Sequence, residues 1–367
     1  MTKKVLIFHN IASSYYKNCV FQAFYELYHD VKVVHLAETR GIRSWKFDRS
    51  ELGYPNEMLF PGNLDRVPRF LMVKAVLNIL RSEKPDIVYV GGYSYLSYWV
   101  ALVWSKLNGK VFISEIDSNR FDHVRSGWKE AIKKVFARSC DVVVTYGKTS
   151  KEYVRDLGVA EDKIVIKPNV TTTKHFDSSP RELPELLKSK NNLLYVGRLS
   201  FEKNIELLLR AYSAAKKETN DNRYSLIIIG DGPEETRLRA LVTSECIPDV
   251  VFIGFVEKQD LAKYYVNSTV FILPSTSEPW GLVVNEAMMC GLPVIVSTHC
   301  GCSQDLVNNN GYTFEPDDLD VLKRILVSYI LNKENIELQR QQSLSIIESY
   351  TPENVAQVLS GLMVKFK

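Results

Sequence analysis

The sequence predicts an α/β protein built from two doubly wound domains in tandem. Short apolar runs, typical of strands buried in parallel sheets, alternate with longer amphipathic stretches that are typical of crossover helices. This alternation runs through residues 5–157 and starts again after residue 169. A chain of 367 residues is also longer than a single hydrophobic core usually serves.

The first half of the chain predicts five strands and five helices. The strands are apolar runs at residues 5–8, 31–36, 87–90, 111–114 and 142–145, and the helices cover residues 16–28, 67–81, 94–107, 128–138 and 148–157. Residues 38–64 lack a clean period and are rich in Arg, Trp, Gly and Pro. That composition predicts either an irregular loop or a lid over a site.

The second half predicts another series of the same kind. Its strands are residues 193–196, 225–229, 251–253, 270–273 and 294–296, and its helices lie near 203–216, 234–245, 258–266 and 282–290. The pattern breaks between residues 167 and 191, so we expect one domain over 1–167 and a second over 168–350. Two such units leave a cleft, and ligands bind at the carboxyl ends of the strands.

Composition narrows the class of protein. Hydrophobic residues make up 46% and charged residues 24%, which is ordinary for a soluble globular chain. No apolar run approaches the ~18 residues of a membrane-spanning helix, and the N-terminal run is too short for a signal peptide. The six cysteines are scattered and suggest neither a metal site nor a disulfide framework. A cytoplasmic protein is therefore expected.

Charge is distributed unevenly along the chain. Residues 1–167 hold 26 Lys and Arg against 18 Asp and Glu, whereas residues 168–367 hold 20 against 25. Such a split is often only a solvation pattern, but a basic half also suits an anionic surface or acceptor. In residues 128–138, the apolar side chains recur at helical spacing, with lysines on the other faces. We expect this apolar stripe to pack on the sheet, and the basic face to suit anionic lipid at the cytoplasmic side of a membrane.

The most informative stretch is residues 277–288, SEPWGLVVNEAM. A buried strand precedes it, so Glu278 is predicted in a strand-to-helix loop, Gly281 near the helix start and Glu286 inside the helix. A helix start offers N–H groups and partial positive charge to a phosphate, and glycine lets a ligand approach the backbone. The two carboxylates suit hydrogen bonds from sugar hydroxyls.

A second element is GRLSFEKN at residues 197–204, which follows another predicted strand. Arg198 and Lys203 bracket its loop, and two cations beside a glycine can neutralise a diphosphate. Strand exits follow at GDGPE, residues 230–234, and at FIGFV, residues 252–256. Neither exit carries the full dinucleotide fingerprint, because Glu235 stands where the third glycine belongs.

These elements, together with GLPVIV at 291–296 and NGYTFEPD at 310–317, resemble in order the retaining family-4 glycosyltransferases across about residues 190–330. The resemblance implies a GT-B architecture, in which two Rossmann-like domains face each other across a cleft. It implies an N-terminal domain for the acceptor, a C-terminal domain for the nucleotide sugar, and a helix over 351–367 that returns to the first domain. It also implies catalytic roles at the diphosphate and the sugar for Arg198, Lys203 and Glu278, and donor contacts at Glu286, Gly281, Trp280, Leu282, Gly197, Gly230, Gly254 and Phe255.

The N-terminal half resembles the family more loosely. Many relatives carry a glycine pair in the first loop, where this chain reads HNIASS at residues 9–14, and a histidine after the fourth strand, where it reads SEID at residues 114–117. Candidate acceptor or sugar contacts here are Asn10, Gly92, Glu115 and Asp117. For the last two, an ordinary polar strand end is an equally good interpretation.

The resulting prediction is a retaining hexosyltransferase that takes a nucleotide diphosphate sugar, with a UDP-sugar favoured, to a glycan or lipid-linked acceptor. No cofactor and no nucleic acid partner are expected, and no metal, because no D-x-D element occurs in a suitable loop. Two alternatives remain open: another GT-B-like enzyme such as an epimerase, and a catalytically silent sugar-nucleotide-binding protein.

Overall fold

The computed structural model of the protein describes residues 3–41, 52–122, 127–172, 176–179, 181–183, 187 and 191–366. The chain divides into two compact units. The first comprises Met1–Arg120, Val124–Thr172 and Thr351–Lys367, and the second comprises Phe121–His123 and Thr173–Tyr350.

Within the described residues, the first unit holds one parallel sheet of seven strands in the order β3-β2-β1-β4-β5-β6-β7. The strands are β1 (Val5–Ile11), β2 (Val31–Thr39), β3 (Asn56–Asn63), β4 (Ile87–Val90), β5 (Val111–Ile116), β6 (Val142–Tyr146) and β7 (Ile164–Lys167). The helices of this unit are α1 (Tyr15–Leu27), α2 (Arg69–Glu83), α3 (Leu96–Leu107), α4 (Gly127–Ser139), α5 (Gly147–Asp156) and, from the end of the chain, Pro352–Val364.

The second unit holds, over its described residues, a parallel sheet of six strands in the order β10-β9-β8-β11-β12-β13. The strands are β8 (Asn191–Val196), β9 (Tyr224–Ile229), β10 (Val250–Gly254), β11 (Val270–Leu273), β12 (Val294–Ser297) and β13 (Gly311–Phe314). The helices are α6 (Ile205–Thr219), α7 (Glu235–Ser244), α8 (Lys258–Val266), α9 (Leu282–Met289), α10 (Ser303–Leu306), α11 (Leu319–Ile330) and α12 (Ile336–Ile347).

The prediction of two doubly wound α/β units is confirmed, and the burial pattern explains why it could be made. Strands β4, β9, β11 and β12 are buried at every position, as strands covered by helices on both faces must be. Their sequences are therefore continuous apolar runs. Helix α6 buries Leu208, Leu209 and Tyr212 along one face, which produces its helical period.

The interpretation of residues 38–64 as a loop or lid is wrong for strand β3, which pairs in parallel with β2. As an edge strand it is half-buried along most of its length, so it shows no apolar run. The part of this stretch at residues 42–51 lies outside the described residues. Strands β7 and β13 and helices α10, α11 and α12 were likewise not predicted. Both strands are short, and both lie at a sheet edge.

The last helix, α13 (Pro352–Val364), packs against α1 of the first unit. Thr351 begins it as an N-cap, because its hydroxyl accepts a hydrogen bond from the backbone N–H of Asn354 at 3.2 Å. Pro352 follows at the first helical position, where its missing N–H is not needed.

The expectation that the apolar stripe of residues 128–138 packs on the sheet is confirmed for Phe136, whose ring lies 5.9 Å from that of Phe112 on β5, and is wrong for the rest of the stripe. On α4 it is Phe136 and Ala137 that are buried, whereas Trp128, Ile132 and Val135 are 66%, 48% and 60% exposed. Their helical spacing reflects a second apolar face that points to solvent. Among the described helices, none combines the length and apolarity that are needed to cross a bilayer.

Candidate active site

The candidate site of the second unit lies where the strand order of its sheet reverses. Strands β8 and β11 are neighbours, but the chain leaves them toward opposite edges of the sheet. In open α/β sheets this arrangement opens a crevice outside the carboxyl ends of the two strands. The loops that follow these strands carry Arg198 and Lys203 in one case, and Glu278 and Gly281 in the other. The structure therefore brings the two predicted elements together.

Backbone and side-chain hydrogen bonds hold the two loops side by side. The N–H of Thr276 donates to the carbonyl of Glu202 at 2.9 Å. Asn204, in the left-handed conformation at φ 56°, donates to the carbonyls of Pro274 at 3.2 Å and Pro316 at 2.7 Å. Asn204 thus positions three loops at once. This role was missed in the sequence because its partners lie far along the chain.

Lys203 and Glu278 form an ion pair in this crevice. Their side chains are only 17% and 16% exposed, so the pair is weakly screened by water. The cation predicted for a diphosphate and the carboxylate predicted for a sugar are therefore direct neighbours. Arg198 is exposed at the same strand exit, and its backbone carbonyl accepts a hydrogen bond from the hydroxyl of Tyr195 at 3.0 Å.

Helix α9 begins beside this ion pair. Gly281 is its N-cap at φ 99°, where a Cβ would lie 2.8 Å from Cδ2 of Leu273, so only glycine fits. Leu282 is the first helical residue, and the N–H groups of a first turn lack partners within the helix. The donor contact expected at Trp280 stays a prediction. The Trp280 indole is buried and donates to Oδ1 of Asn285 at 2.9 Å, so the ring belongs to the core of the unit.

Glu286 is buried one turn further along α9. The hydroxyl of Tyr265 donates to its Oε2 at 3.3 Å, and Nζ of Lys258 lies 3.3 Å from its Oε1. Burial raises the pKa of Glu286, and the charge of Lys258 opposes that rise. Burial and the nearby Glu286 also raise the pKa of Tyr265 well above its ordinary value, which keeps the phenol protonated as a donor. Tyr265 and Lys258, both on α8, were missed because only tertiary packing brings α8 against α9.

Three predicted glycines lie together at the carboxyl ends of β8, β9 and β10. The N–H of Gly197 donates to the carbonyl of Ile229 at 3.0 Å, and that of Gly230 donates to Gly254 at 2.8 Å. A Cβ on Gly230 would lie 2.0 Å from the carbonyl oxygen of Gly197. Glycine at 230 is therefore required by the packing of adjacent strand exits, while Phe255 beyond the third glycine is largely exposed.

In the first unit, the predicted contacts gather at the corresponding reversal between β1 and β4. Oδ1 of Asn10 accepts a hydrogen bond from the hydroxyl of Tyr98 at 2.6 Å. A Cβ on Gly92 would lie 3.4 Å from the carbonyl oxygen of Glu115. Asp117 is exposed just beyond the end of β5.

Glu115 has partners of its own within the first unit. It forms an ion pair with Lys17, lies 3.6 Å from Nζ of Lys167 and accepts a hydrogen bond from the hydroxyl of Tyr89 at 2.5 Å. Burial raises the pKa of Glu115, and the charge of Lys167 opposes the rise. Burial also holds the pKa of Lys17 well below its ordinary value, with the charge of Lys167 adding to the effect. Since these partners occupy the carboxylate of Glu115, the geometry favours Asp117 over it as a contact for an acceptor.

The described residues place no group of three or more His, Cys, Asp and Glu side chains where they would hold a metal ion. The expectation that the reaction needs no metal stays a prediction.

Comparisons with known proteins identify the family of the chain. The family model described as "Glycosyltransferase Family 4" matches residues 21–175, and the one described as "Glycosyl transferases group 1" matches residues 180–344. An uncharacterized glycosyltransferase of Methanocaldococcus jannaschii is 26% identical over 76% of this chain and 75% of its own. The O-antigen chain mannosyltransferase B of Escherichia coli is 29% identical over 59% of this chain and 58% of its own, which is less than two thirds of that enzyme.

Among solved structures, Anabaena HepE in complex with UDP has a TM-score of 0.80 at 16% identity, over 99% of this chain and 100% of that one. At this identity the likeness concerns the fold, and it confirms the predicted GT-B architecture. The two family models follow one another along the chain and together span both units. The protein therefore belongs to the group 1, family 4 glycosyltransferases, which act on nucleotide sugars.

Proposed function

We propose that this glycosyltransferase moves a hexose-type sugar from a nucleotide diphosphate sugar to an acceptor hydroxyl with retention of the anomeric configuration. The observation that carries the proposal is the pairing of Lys203 with Glu278 beside the start of α9. The cation and the helix N-terminus suit the negative charge of the diphosphate, and the carboxylate suits a hydroxyl of the sugar.

Each residue has a distinct task in this proposal. Arg198, Lys203 and the first N–H groups of α9 stabilise the negative charge that develops on the leaving diphosphate. Glu278 accepts a hydrogen bond from a hydroxyl of the donor sugar and fixes its orientation. Glu286 accepts hydrogen bonds from the ribose diol, while Tyr265 and Lys258 hold its carboxylate in place.

Retention follows if the acceptor attacks from the face that the diphosphate leaves. The bond between the anomeric carbon and the phosphate oxygen breaks, and a bond from the acceptor oxygen forms on the same face. The acceptor proton passes to the leaving phosphate, so no protein nucleophile is needed. In this proposal the second unit binds the donor and the first unit binds the acceptor, with Asn10, Gly92 and Asp117 as its contacts.

A UDP-sugar is the favoured donor, and the UDP bound to Anabaena HepE supports that choice. The decisive experiment is a thermal-shift screen of UDP-, GDP- and ADP-sugars. A donor at about 100 times its Kd adds roughly 2.7 kcal/mol to stability, which raises Tm by roughly 5–10 °C for a domain of this size. If no nucleotide sugar shifts Tm, the proposal is refuted.

Product analysis with the donor found in this screen separates the remaining classes of protein. Transfer to an added acceptor supports the proposal. A changed sugar without an acceptor indicates an epimerase. Binding without any turnover indicates a catalytically silent binding protein. The pairing of Lys203 with Glu278 argues against that class.

The acceptor we propose is a lipid-linked glycan met at an anionic membrane surface from the cytoplasmic side. The similarity to an O-antigen chain mannosyltransferase supports a glycan acceptor, and the basic character of residues 1–167 supports an anionic surface. Assembly of a surface polysaccharide would account for both a glycan acceptor and an anionic membrane surface.

Transfer should continue in EDTA, because cations of the protein take the place of a metal at the diphosphate in this proposal. We expect initial rates within about twofold of those measured with Mg²⁺ or Mn²⁺, since Arg198 and Lys203 already supply the positive charge. Loss of transfer in EDTA that either ion restores would refute metal independence and leave the transferase assignment intact.

A further inference from the structure

The outer face of α4 carries apolar and basic side chains that are directed to solvent. We define it by the exposed apolar residues Trp128, Ile132 and Val135, flanked by Lys129 and Lys134, which are also exposed. The three apolar residues recur at spacings of four and three, so they form one stripe, on the opposite side of the helix from the buried Ala137. An exposed tryptophan within such a stripe is unusual for a surface that meets only water.

The one acidic residue of α4, Glu130, does not contribute to this face. Glu130 accepts a hydrogen bond from Nζ of Lys133 at 2.7 Å and another from the hydroxyl of Tyr153 at 3.1 Å. Nζ of Lys133 also lies 5.5 Å from the ring centre of Tyr93. Lys133 therefore faces the interior of the unit, and among the described residues no ion pair joins Lys129 or Lys134 to a carboxylate.

The neighbouring helix α3 extends the apolar character. The ring of Trp99 on α3 lies 4.8 Å from that of Phe136 on α4, so the two helices pack together. On α3, Val103 and Leu107 are 55% and 81% exposed. Two adjacent helices of the first unit thus direct large apolar side chains outward.

We propose that the outer face of α4 docks on an anionic lipid bilayer, with Trp128, Ile132 and Val135 entering the interface and Lys129 and Lys134 meeting the headgroups. An apolar stripe flanked by lysines is the composition of helices that lie in the plane of a membrane interface. The lysines add attraction to anionic lipid, and the apolar residues add binding that salt does not screen.

A second copy of the chain is a poorer occupant for this face. In a two-fold dimer the same patch meets itself, so the cations of one copy would lie against those of the other. One short stripe is also small against the roughly 800 Å² per partner that a stable interface buries. An anionic bilayer complements both features, because its headgroups attract the lysines and its interface accepts the apolar side chains.

Docking of this face on a bilayer would bring the enzyme to the lipid-linked acceptor proposed above, so the biological role of the docking rests on that proposal. Vesicle binding is measured without donor or acceptor, so docking and transfer succeed or fail separately.

The test is co-sedimentation of the full chain with phosphatidylcholine vesicles, with and without phosphatidylglycerol, at low and high salt. We expect binding to the anionic vesicles alone, with part of it surviving high salt. Lys129→Gln with Lys134→Gln should lower the partition coefficient roughly 10- to 30-fold at low salt. The control is Lys217→Gln with Lys333→Gln, which removes the same charge from exposed positions of the second unit and should leave binding unchanged.

The apolar stripe is tested by a variant that combines Trp128→Ser, Ile132→Ser and Val135→Ser. This variant should lose the part of vesicle binding that survives high salt. Lipids brominated in their acyl chains should quench tryptophan fluorescence in the wild type and quench it less in Trp128→Phe. Equal binding by the stripe variant, or equal losses in the control, would overturn the proposal. The proposal would also be overturned if the wild type formed a dimer that the stripe variant does not form, and vesicles bound neither protein. A second copy of the chain would then cover the face.

Discussion

Replacing Lys203 by Ala lowers kcat by roughly 100- to 1,000-fold and changes the KM of the donor far less. The reason is that the negative charge on the diphosphate is greatest in the transition state, so a cation that neutralises it acts mainly there. Arg198→Ala should likewise lower kcat and change the KM of the donor far less. Steady-state kinetics with the donor found by thermal shift is the measurement.

The ion pair of Lys203 with Glu278 requires a further control, because the lysine variant also strands a partly buried carboxylate. A double-mutant cycle of Lys203→Ala and Glu278→Gln separates the two effects. If Lys203 only holds Glu278 in place, the double variant will be no slower than Glu278→Gln alone. Wild-type kcat in both Lys203→Ala and Arg198→Ala would mean that neither cation acts in the reaction.

Replacing Glu286 by Ala weakens donor binding by about 1–3 kcal/mol, or roughly five- to 150-fold in Kd. The ribose hydroxyls would lose their acceptor, and the hydroxyl of Tyr265 would lose its partner in a buried place. Calorimetric titration gives the affinity directly. Tyr265→Phe should weaken binding less, because the carboxylate remains with Lys258 beside it. Unchanged affinity in Glu286→Ala would exclude the ribose contact.

The pH dependence provides an independent check on Glu286. Because burial raises its pKa in the folded protein, this carboxylate takes up a proton at higher pH than an ordinary glutamate. As pH falls through that raised pKa, donor affinity should fall with the loss of the acceptor. Over the same range the contribution of Glu286 to folding stability should rise, since the folded state binds the proton more tightly than the unfolded state. Glu286→Gln should remove both trends.

The sequence could predict the elements whose signal is local. A strand covered on both faces must be apolar throughout, so β4, β9, β11 and β12 are visible as runs of letters. The loops that carry Arg198, Glu278 and Gly281 directly follow buried apolar runs in β8 and β11, which is why their place at the strand ends was predictable. Edge strand β3 was not visible, because a half-buried strand carries no such run.

Contacts between distant parts of the chain were decided by tertiary packing alone. Lys203 and Glu278 lie 75 residues apart, and Lys17 and Glu115 lie 98 apart. Nothing near either residue indicates its partner, because strand order determines which loops meet. The same holds for α4, since a period of apolar residues shows that a helix has an apolar face but not which apolar face is covered. Local order follows from the pattern of side chains along the chain, whereas partners and exposure depend on what the rest of the fold brings alongside.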